Sequence, residues 1–336
     1  MKYNDINFNK KTILITGGAG FIGSNLAFYF QKNYPKAKVL VLDCFRTGET
    51  FSNGNLKSFG HFKNLLGFKG VVISGDINDK KLLKNLEKNY KFDYIFHQAA
   101  ISDTTVSEQD LIIKTNVNAY EDLLKIAIKH KANIIYASSA ATYGNSDKFE
   151  VGCEKPNNAY GFSKVMMDNI TYEYLKKDLD ISIVGLKYFN VYGPREFYKN
   201  KTASMVVQFG HQILKGLTPK LFEGSDKILR DFIYIEDIIQ ANIKATNPKK
   251  SGVYNVGTGN ARSFEDIVNI LQKELEIDNG KEYIPNPYVG QYQFFTQANI
   301  ETTKENLAYE PKFSMEDGIR AYIPEIKKLF EEEIKK

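Results

Sequence analysis

The sequence predicts an α/β fold: a doubly wound parallel sheet with a smaller C-terminal substrate domain. Three observations predict it. Short, continuous apolar runs alternate with helical patterns through the first half of the chain. The stretch LITGGAGFIG, from Leu14 to Gly23, puts a glycine turn between the first apolar run and the first helix. Asp43 then closes the second apolar run, 20 residues after Gly23. Continuous apolar strands are buried on both faces, and helices between them imply parallel pairing with helices on both sides.

Taken in order, Ile13–Thr16 is β-branched and apolar, so it reads as a buried strand. Phe21 opens a helix carrying Ile22, Leu26, Phe28 and Phe30. Further strands are predicted at Val39–Asp43, Val71–Gly75, Tyr94–His97, Ile134–Ser138 and Ile183–Lys187. Helices fit between them at Asp79–Tyr90, Asn116–His130 and Tyr160–Lys177. The insertion Thr47–Gly70 is long for a connection in such a fold, and is expected to cover a ligand or a neighbouring subunit. After about residue 190 the pattern loosens, with Pro and Gly at Gly193-Pro194, Gly216–Pro219 and Ile284–Gly290. The expected division is a dinucleotide-binding domain over 1–187, rejoined by parts of 231–260, and a discontinuous substrate domain over 188–336. Met315–Lys336 reads as a charged surface helix.

Composition narrows the class. Of the 336 residues, 43% are hydrophobic and 25% charged, as in an ordinary globular protein. The net charge is +5, but Lys and Glu are scattered along helices, which argues against nucleic acid as a partner. No run reaches the roughly 18 apolar residues of a membrane span. The opening MKYNDINFNKK lacks the apolar core of a signal peptide. The two cysteines, Cys44 and Cys153, have no metal spacing, so a reduced, cytoplasmic compartment is expected. Cys44 is expected to be a small packing residue rather than a reactive thiol. His61, His97, His130 and His211 form no ligand cluster in the sequence, and no metal site is expected.

The glycine turn carries the first chemistry. Gly17, Gly18, Gly20 and Gly23 give a tight turn and close backbone approach, and place a pyrophosphate on the amino end of a helix. Asp43 can bind ribose hydroxyls. This is the Rossmann pattern, and it predicts a bound dinucleotide. The second chemistry is Tyr160-Gly-Phe-Ser-Lys164, which puts a phenol and an ammonium on one helical face. A lysine there is expected to lower the phenol's pKa and ready Tyr160 for proton exchange near neutral pH. Ser138-Ser139 ends the fifth strand, where a hydroxyl can bond a substrate oxygen beside that phenol.

From GGAGFIG through YASSAATYG, YGFSK and YFNVYGPRE, the chain resembles the extended short-chain dehydrogenase/reductase family. Within it, the chain resembles the heptose 6-epimerase branch of the nucleotide-sugar epimerases. The segments that carry this closer resemblance are His97–Thr105, Tyr188–Ser204, Leu221–Ile238, Tyr254–Phe264 and Tyr292–Ala298. The resemblance implies a hydroxyl, phenol and lysine at Ser139, Tyr160 and Lys164, and a second acid/base at Lys199. It implies cofactor contacts at Gly17, Gly20, Phe21, Ile22, Gly23 and Asp43, at Gln98, Ala99, Ala100, Ile101 and Ser102, and at Asn116, Tyr160, Lys164, Val191 and Lys199. It implies substrate contacts at Asn190, Lys201, Gln208, Phe222, Glu223, Gly224, Ser225, Arg230 and Tyr292. Two departures stand out: the family commonly has a histidine where Gln208 stands and a serine where Lys201 stands.

The activity so implied is epimerisation at C6 of the heptose in an ADP-sugar, for lipopolysaccharide core synthesis, by transient oxidation and re-reduction. Carbon 6 is not acidic, so simple deprotonation is excluded. The implied cofactor is NADP, with NAD as the alternative that Asp43 alone favours, since a carboxylate repels a 2′-phosphate. Thr50 stands where relatives carry a lysine, and Arg46, Lys57 or Lys63 can substitute. The expected partner is a small nucleotide-sugar, with homo-oligomerisation. Two other readings remain: another epimerase or dehydratase of the same fold, and a non-catalytic dinucleotide-binding scaffold. Ala140 and Ala141 after the hydroxyl oppose a dehydratase, which needs an acid there. The full Ser139, Tyr160, Lys164 and Lys199 set opposes a scaffold.

Overall fold

The computed structural model describes residues 2–286 and 294–335. Seven strands make one parallel sheet: β1 Thr12–Thr16, β2 Lys38–Asp43, β3 Val71–Ser74, β4 Tyr94–His97, β5 Asn133–Ser139, β6 Ile183–Tyr188 and a later strand at Gly252–Val256. Their spatial order runs from that later strand through β6, β5, β4, β1 and β2 to β3. The order reverses between β1 and β4, and such a switch point leaves a crevice at the carboxyl ends of the strands. The strands expected from sequence match these within about a residue.

Alternation along each strand explains the two-sided burial. Ile13, Ile15, Val39, Val41, Phe96 and Ile135 pack into one core. Their neighbours Leu14, Leu40, Leu42, Ile95 and Ile134 pack into the other. Successive strand residues face opposite ways, so an unbroken apolar run serves both layers. Helix α1, Phe21–Asn33, covers the first face with Leu26, Ala27 and Phe30. The second face is covered by α2 Lys80–Asn89, by a helical stretch of α3 Gln109–Ile112 and α4 Ala119–His130 joined through a π turn at Ile113–Asn118, and by α5 Ala159–Leu175. Asn158 starts α5 by accepting the Gly161 amide at 2.8 Å, which puts Tyr160 in the first turn.

Most of the rest of the chain builds a smaller lobe, while Ile235–Lys244 and the Gly252–Val256 strand return to the large sheet. Strand β7, Asn190–Tyr192, leads to α6 Met205–Leu214, β8 Lys220–Phe222 and β9 Leu229–Tyr234. Helix α7, Ile235–Lys244, then lies against α1, and β10, the Gly252–Val256 strand, pairs with β6. Strand β11 Ala261–Ser263, helix α8 Phe264–Leu275, strands β12 Glu282–Ile284 and β13 Phe295–Thr296, and helices α9 Glu301–Leu307 and α10 Met315–Leu329 follow. In this lobe β7, β11 and β13 all pair with β9. The terminal helix is not simply a surface helix. It buries Met315, Ile319, Tyr322, Ile323 and Ile326 against α6 and α8, and its charges occupy only the outer face. Among the described residues, no helix is long and apolar enough to cross a membrane.

Candidate active site

The carboxyl ends of β1, β2, β3, β4, β5 and β6 open into one cleft of about 460 Å³. The glycine turn forms its floor. Gly17 has φ +66°, and a Cβ there would lie 2.7 Å from the Ala99 amide nitrogen. A Cβ on Gly23 would lie 2.3 Å from the Gly17 carbonyl oxygen, so only glycine lets α1 start this close to the turn. No side chain caps the amino end of α1. Gly20, Phe21, Ile22 and Gly23 line the cleft at that end. An uncapped helix start facing a cavity is the arrangement that receives a phosphate anion.

Asp43 ends β2 at the cleft wall and is 6% exposed. Its Oδ2 accepts the Ala19 amide at 2.9 Å and its Oδ1 the Phe45 amide at 2.9 Å. Burial pushes its carboxyl up, and these backbone bonds oppose the shift. Cys44 is exposed and lines the cleft, so the packing role expected of it is wrong: the chain turns outward directly after β2. The 47–70 insertion supplies Phe51 and residues 56–60 to the same cleft. Residues 98–102, at the end of β4, line it beside the turn, with Ala99 against Gly17. Asn116 does not reach the cleft. It is fully buried behind the wall, with Oδ1 accepting the Ile101 amide at 2.9 Å and Nδ2 donating to the Ile101 carbonyl and the Ser163 hydroxyl.

Ser139, Tyr160 and Lys164 come together in this cleft. Ser139 is the last residue of β5, and its Oγ accepts the Ala141 amide at 3.1 Å. Burial holds the Tyr160 phenol above its ordinary pKa, and a hydrogen bond with Ser139 works the other way. The lowered phenol expected from the Tyr–Lys spacing is therefore absent in this state. Lys164 lies one turn on, with Nζ 5.8 Å from the Tyr160 ring centroid. Its Nζ donates to the Ala137 carbonyl at 2.6 Å. Burial pushes Lys164 down to about 8, against the pull of Asp168.

Lys199 reaches the cleft from the loop after β7, its Nζ 5.9 Å from the Phe21 ring centroid. Burial lowers its pKa and Glu196 opposes that. The Glu196 carboxylate itself is fully buried, accepting the Gly193 amide at 3.0 Å and the Ser204 amide and hydroxyl at 2.7 and 2.8 Å. The neighbouring Tyr198 stacks on His61 of the insertion, with ring centroids 3.9 Å apart and planes 4° from parallel. Arg46 donates to the Tyr198 carbonyl. Asn190 and Val191 line the cleft beside Lys199.

The other expected substrate contacts stand apart from the cleft lining. Lys201 is exposed. Gln208 turns its Nε2 back to the Ala203 carbonyl at 2.7 Å. Phe222, Glu223, Gly224 and Ser225 lie at the end of β8 in the smaller lobe. Arg230, 8% exposed, donates to the Leu229 carbonyl at 2.8 Å. It lies two residues before Phe232, which pairs with Asn190. Tyr292 falls outside the described residues. Sequence reasoning missed residues 75–77, which line the cleft after β3. The signal was present, since VVISGD is an apolar run closed by Gly and Asp, much as β2 is closed by Asp43. Among the described residues, no group of three or more His, Cys, Asp or Glu is placed to hold a metal ion.

This cleft belongs to a dinucleotide-dependent sugar-modifying enzyme, and the chain is a member of the NAD dependent epimerase/dehydratase family, whose model matches residues 13–257. Within that family it is similar to ADP-L-glycero-D-manno-heptose-6-epimerase of Brachyspira hyodysenteriae, at 37% identity over 94% of this chain and 98% of the relative. The crystal structure of the Helicobacter pylori ADP-L-glycero-D-manno-heptose-6-epimerase superposes with a TM-score of 0.87 at 52% identity, over 97% of this chain and 99% of that one. The Thermotoga maritima UDP-glucose 4-epimerase with UDP-glucose matches at TM-score 0.82 and 27% identity, over 94% and 99% of the two chains. Family membership carries a nicotinamide dinucleotide as cofactor, and the uncapped helix start with its glycine cradle fits one.

Proposed function

We infer that this protein epimerises C6 of the heptose in ADP-D-glycero-D-manno-heptose, giving the L-glycero form used in lipopolysaccharide core synthesis. The observation that carries the reading is one cleft lined together by the glycine turn, Ser139, Tyr160, Lys164 and Lys199. A nicotinamide dinucleotide held by the glycine turn would supply reversible hydride transfer at C6. Everything else falls to the chain. Ser139 would bond the C6 oxygen, and Lys164 would bond the cofactor ribose and steady the phenol. Tyr160 and Lys199 take and return the proton of that oxygen. They stand on separate elements, α5 and the loop after β7, so the oxygen meets an acid/base in either of two orientations. The smaller lobe, with Arg230 and the 222–225 segment, would anchor the diphosphate end while the sugar turns.

NADP is the cofactor we assign. Both Asp43 oxygens accept backbone amides, which offsets their repulsion of a 2′-phosphate. Lys57 lines the cleft, although it also pairs with Glu49 at 3.1 Å. Lys63 instead pairs with Glu333 at 2.5 Å. Mass spectrometry of the cofactor released on denaturation tests this, and recovery of NAD alone would overturn it. The activity is tested by proton NMR of ADP-heptose mixed with purified protein and no added cofactor. Signals of the C6 epimer are expected. Their absence even after NADP or NAD is supplied would overturn the reading.

A further inference from the structure

Behind the cleft wall, a set of buried polar groups meets that plays no direct part in the chemistry above. Asp168 lies on α5, one turn beyond Lys164, and is 3% exposed. Its Oδ1 accepts the Tyr136 hydroxyl at 2.8 Å. Its Oδ2 accepts the Ser138 hydroxyl at 3.0 Å and Lys187 Nζ at 2.6 Å. Lys187 is fully buried, and its Nζ also donates to the Thr142 hydroxyl at 3.0 Å and pairs with Glu154 at 3.0 Å. One of these residues, Ser138, itself lines the cleft, and two adjoin the lining in sequence: Thr142 follows Ala141, and Lys187 precedes Tyr188.

Stability alone is a poor account of this cluster. Desolvation consumes most of the attraction between buried charges, and an apolar pair of similar volume would hold the same elements together at least as well. The charges are also unbalanced. Two carboxylates face one ammonium, leaving a net negative charge within the fold at a point one turn from Lys164. The titratable and charged groups around Lys164 are Tyr160 and Asp168 on its own helix and His97 on β4, with Tyr136 and Lys187 behind Asp168. His97 is pushed down to about 3 by burial, so it is neutral there. Asp168 is therefore the anion that faces Lys164.

We propose that Asp168, with Lys187 as its counter-charge, is a positioning residue of the active site. It ties the ends of β5 and β6 to α5 and sets a fixed negative charge beside Lys164. This rests on reading Ser139, Tyr160 and Lys164 as the catalytic set. Burial works against the Lys164 cation, and Asp168 offsets it. Removing Asp168 weakens Lys164 as an ammonium and loosens Ser139. Removing Lys187 deepens the negative imbalance and strengthens Lys164 as an ammonium.

The test is an NMR titration of protein labelled with carbon-13 at the lysine ε position, with the Lys164 signal identified by its loss in Lys164→Arg. In Asp168→Asn the Lys164 midpoint should fall by about one pH unit. In Lys187→Met it should rise, and in Asp168→Glu it should return toward the wild-type midpoint. Should Asp168→Asn not fold, the double variant Asp168→Asn/Lys187→Met removes both buried charges of the pair, and its Lys164 midpoint should still fall. In turnover of ADP-heptose, the alkaline limb of kcat should move with that midpoint while KM changes less than twofold. A folded Asp168→Asn protein, or a folded double variant, whose Lys164 midpoint matches wild type overturns the proposal and leaves the cluster structural. The titration needs no substrate. Failure of wild type to epimerise would therefore strike the functional reading alone, and an unmoved Lys164 in an active enzyme would strike this one alone.

Discussion

Replacing Lys199 and Lys201 separately should split rate from binding. The two lysines are two residues apart in the same loop, and both carry a positive charge toward an anionic substrate. Their surroundings differ. Lys199 is half-buried and lines the cleft, and burial lowers its pKa against the pull of Glu196. Lys201 is exposed and lies off the cleft. Loss of a positioned acid/base costs roughly a hundredfold to ten-thousandfold in rate, or about 3 to 5 kcal/mol of barrier. An exposed charge is worth at most about 1 kcal/mol, so losing it should raise KM by no more than about fivefold. Lys199→Met should therefore collapse kcat with KM little changed, because methionine keeps the stem's volume against Phe21. Lys201→Met should keep kcat. The assay is steady-state kinetics of both variants on ADP-heptose, with retained cofactor checked by mass spectrometry. If Lys201→Met loses turnover while Lys199→Met keeps it, the roles are exchanged and the assignment of the second acid/base is wrong.

Three further outcomes follow from the geometry. Tyr160→Phe should keep fold and cofactor yet lose at least about a hundredfold in kcat, and near-normal turnover of the folded variant would refute its role as acid/base. His97 is held neutral down to about 3 in the folded chain while an unfolded histidine binds a proton below about 6.5, so the stability it secures is lost as pH falls, by about 2 kcal/mol at pH 5. The drop in Tm between neutral pH and about pH 5 should accordingly shrink in His97→Asn, and equal drops in the two proteins would count against the buried neutral imidazole. Gly23→Ala should lower Tm and weaken cofactor binding together, because its Cβ would meet the Gly17 carbonyl oxygen at 2.3 Å; dinucleotide titration by fluorescence reads the binding, and unchanged affinity would show that the turn can shift to absorb it.

The parts of this molecule that could be read from sequence are those where a local pattern has one physical solution. Ile13, Leu14 and Ile15 are all apolar because the strand is covered on both faces, and that fixes a parallel sheet. Glycines at 17, 20 and 23 are demanded by a turn too tight for a Cβ. The lobe after residue 190 was harder. Its strands are two to six residues long; β7, β11 and β13 are held by pairing with β9, and β8 and β12 by pairing with each other, tertiary facts with no local trace. Helix α10 was misjudged for a related reason: its charges are frequent, but they leave a stripe at Met315, Ile319, Tyr322 and Ile326 that only the neighbouring α6 and α8 make sense of. Cys44 was misjudged because the outward turn after β2 is set by the insertion that follows, not by the strand. The phenol–lysine spacing gave the correct face, but not the direction of the Lys164 ammonium, which the Ala137 carbonyl captures.

Tyr160 and Lys199, the two acid/base groups proposed above, differ in how they are held. Tyr160 stands in the first turn of α5, capped by Asn158 and packed against the large sheet. Lys199 stands on a loop in which Arg195 and Asn200 both have positive φ, at 75° and 54°. Side chains favour that conformation only where surroundings impose it. Here the surroundings come from two directions. Glu196 anchors the loop to Gly193 and Ser204, and the insertion grips it through the His61–Tyr198 stack and the Arg46 bond to the Tyr198 carbonyl. The same insertion supplies Phe51 and residues 56–60 to the cofactor end of the cleft. Lys199 is thus positioned through a segment that also lines the cleft with the glycine turn, whereas Tyr160 is held on α5 by the Asn158 cap. A cofactor pressing on residues 56–60 therefore bears on the Lys199 loop as well, which ties the second acid/base to an occupied cleft and leaves the first in place whether or not it is filled.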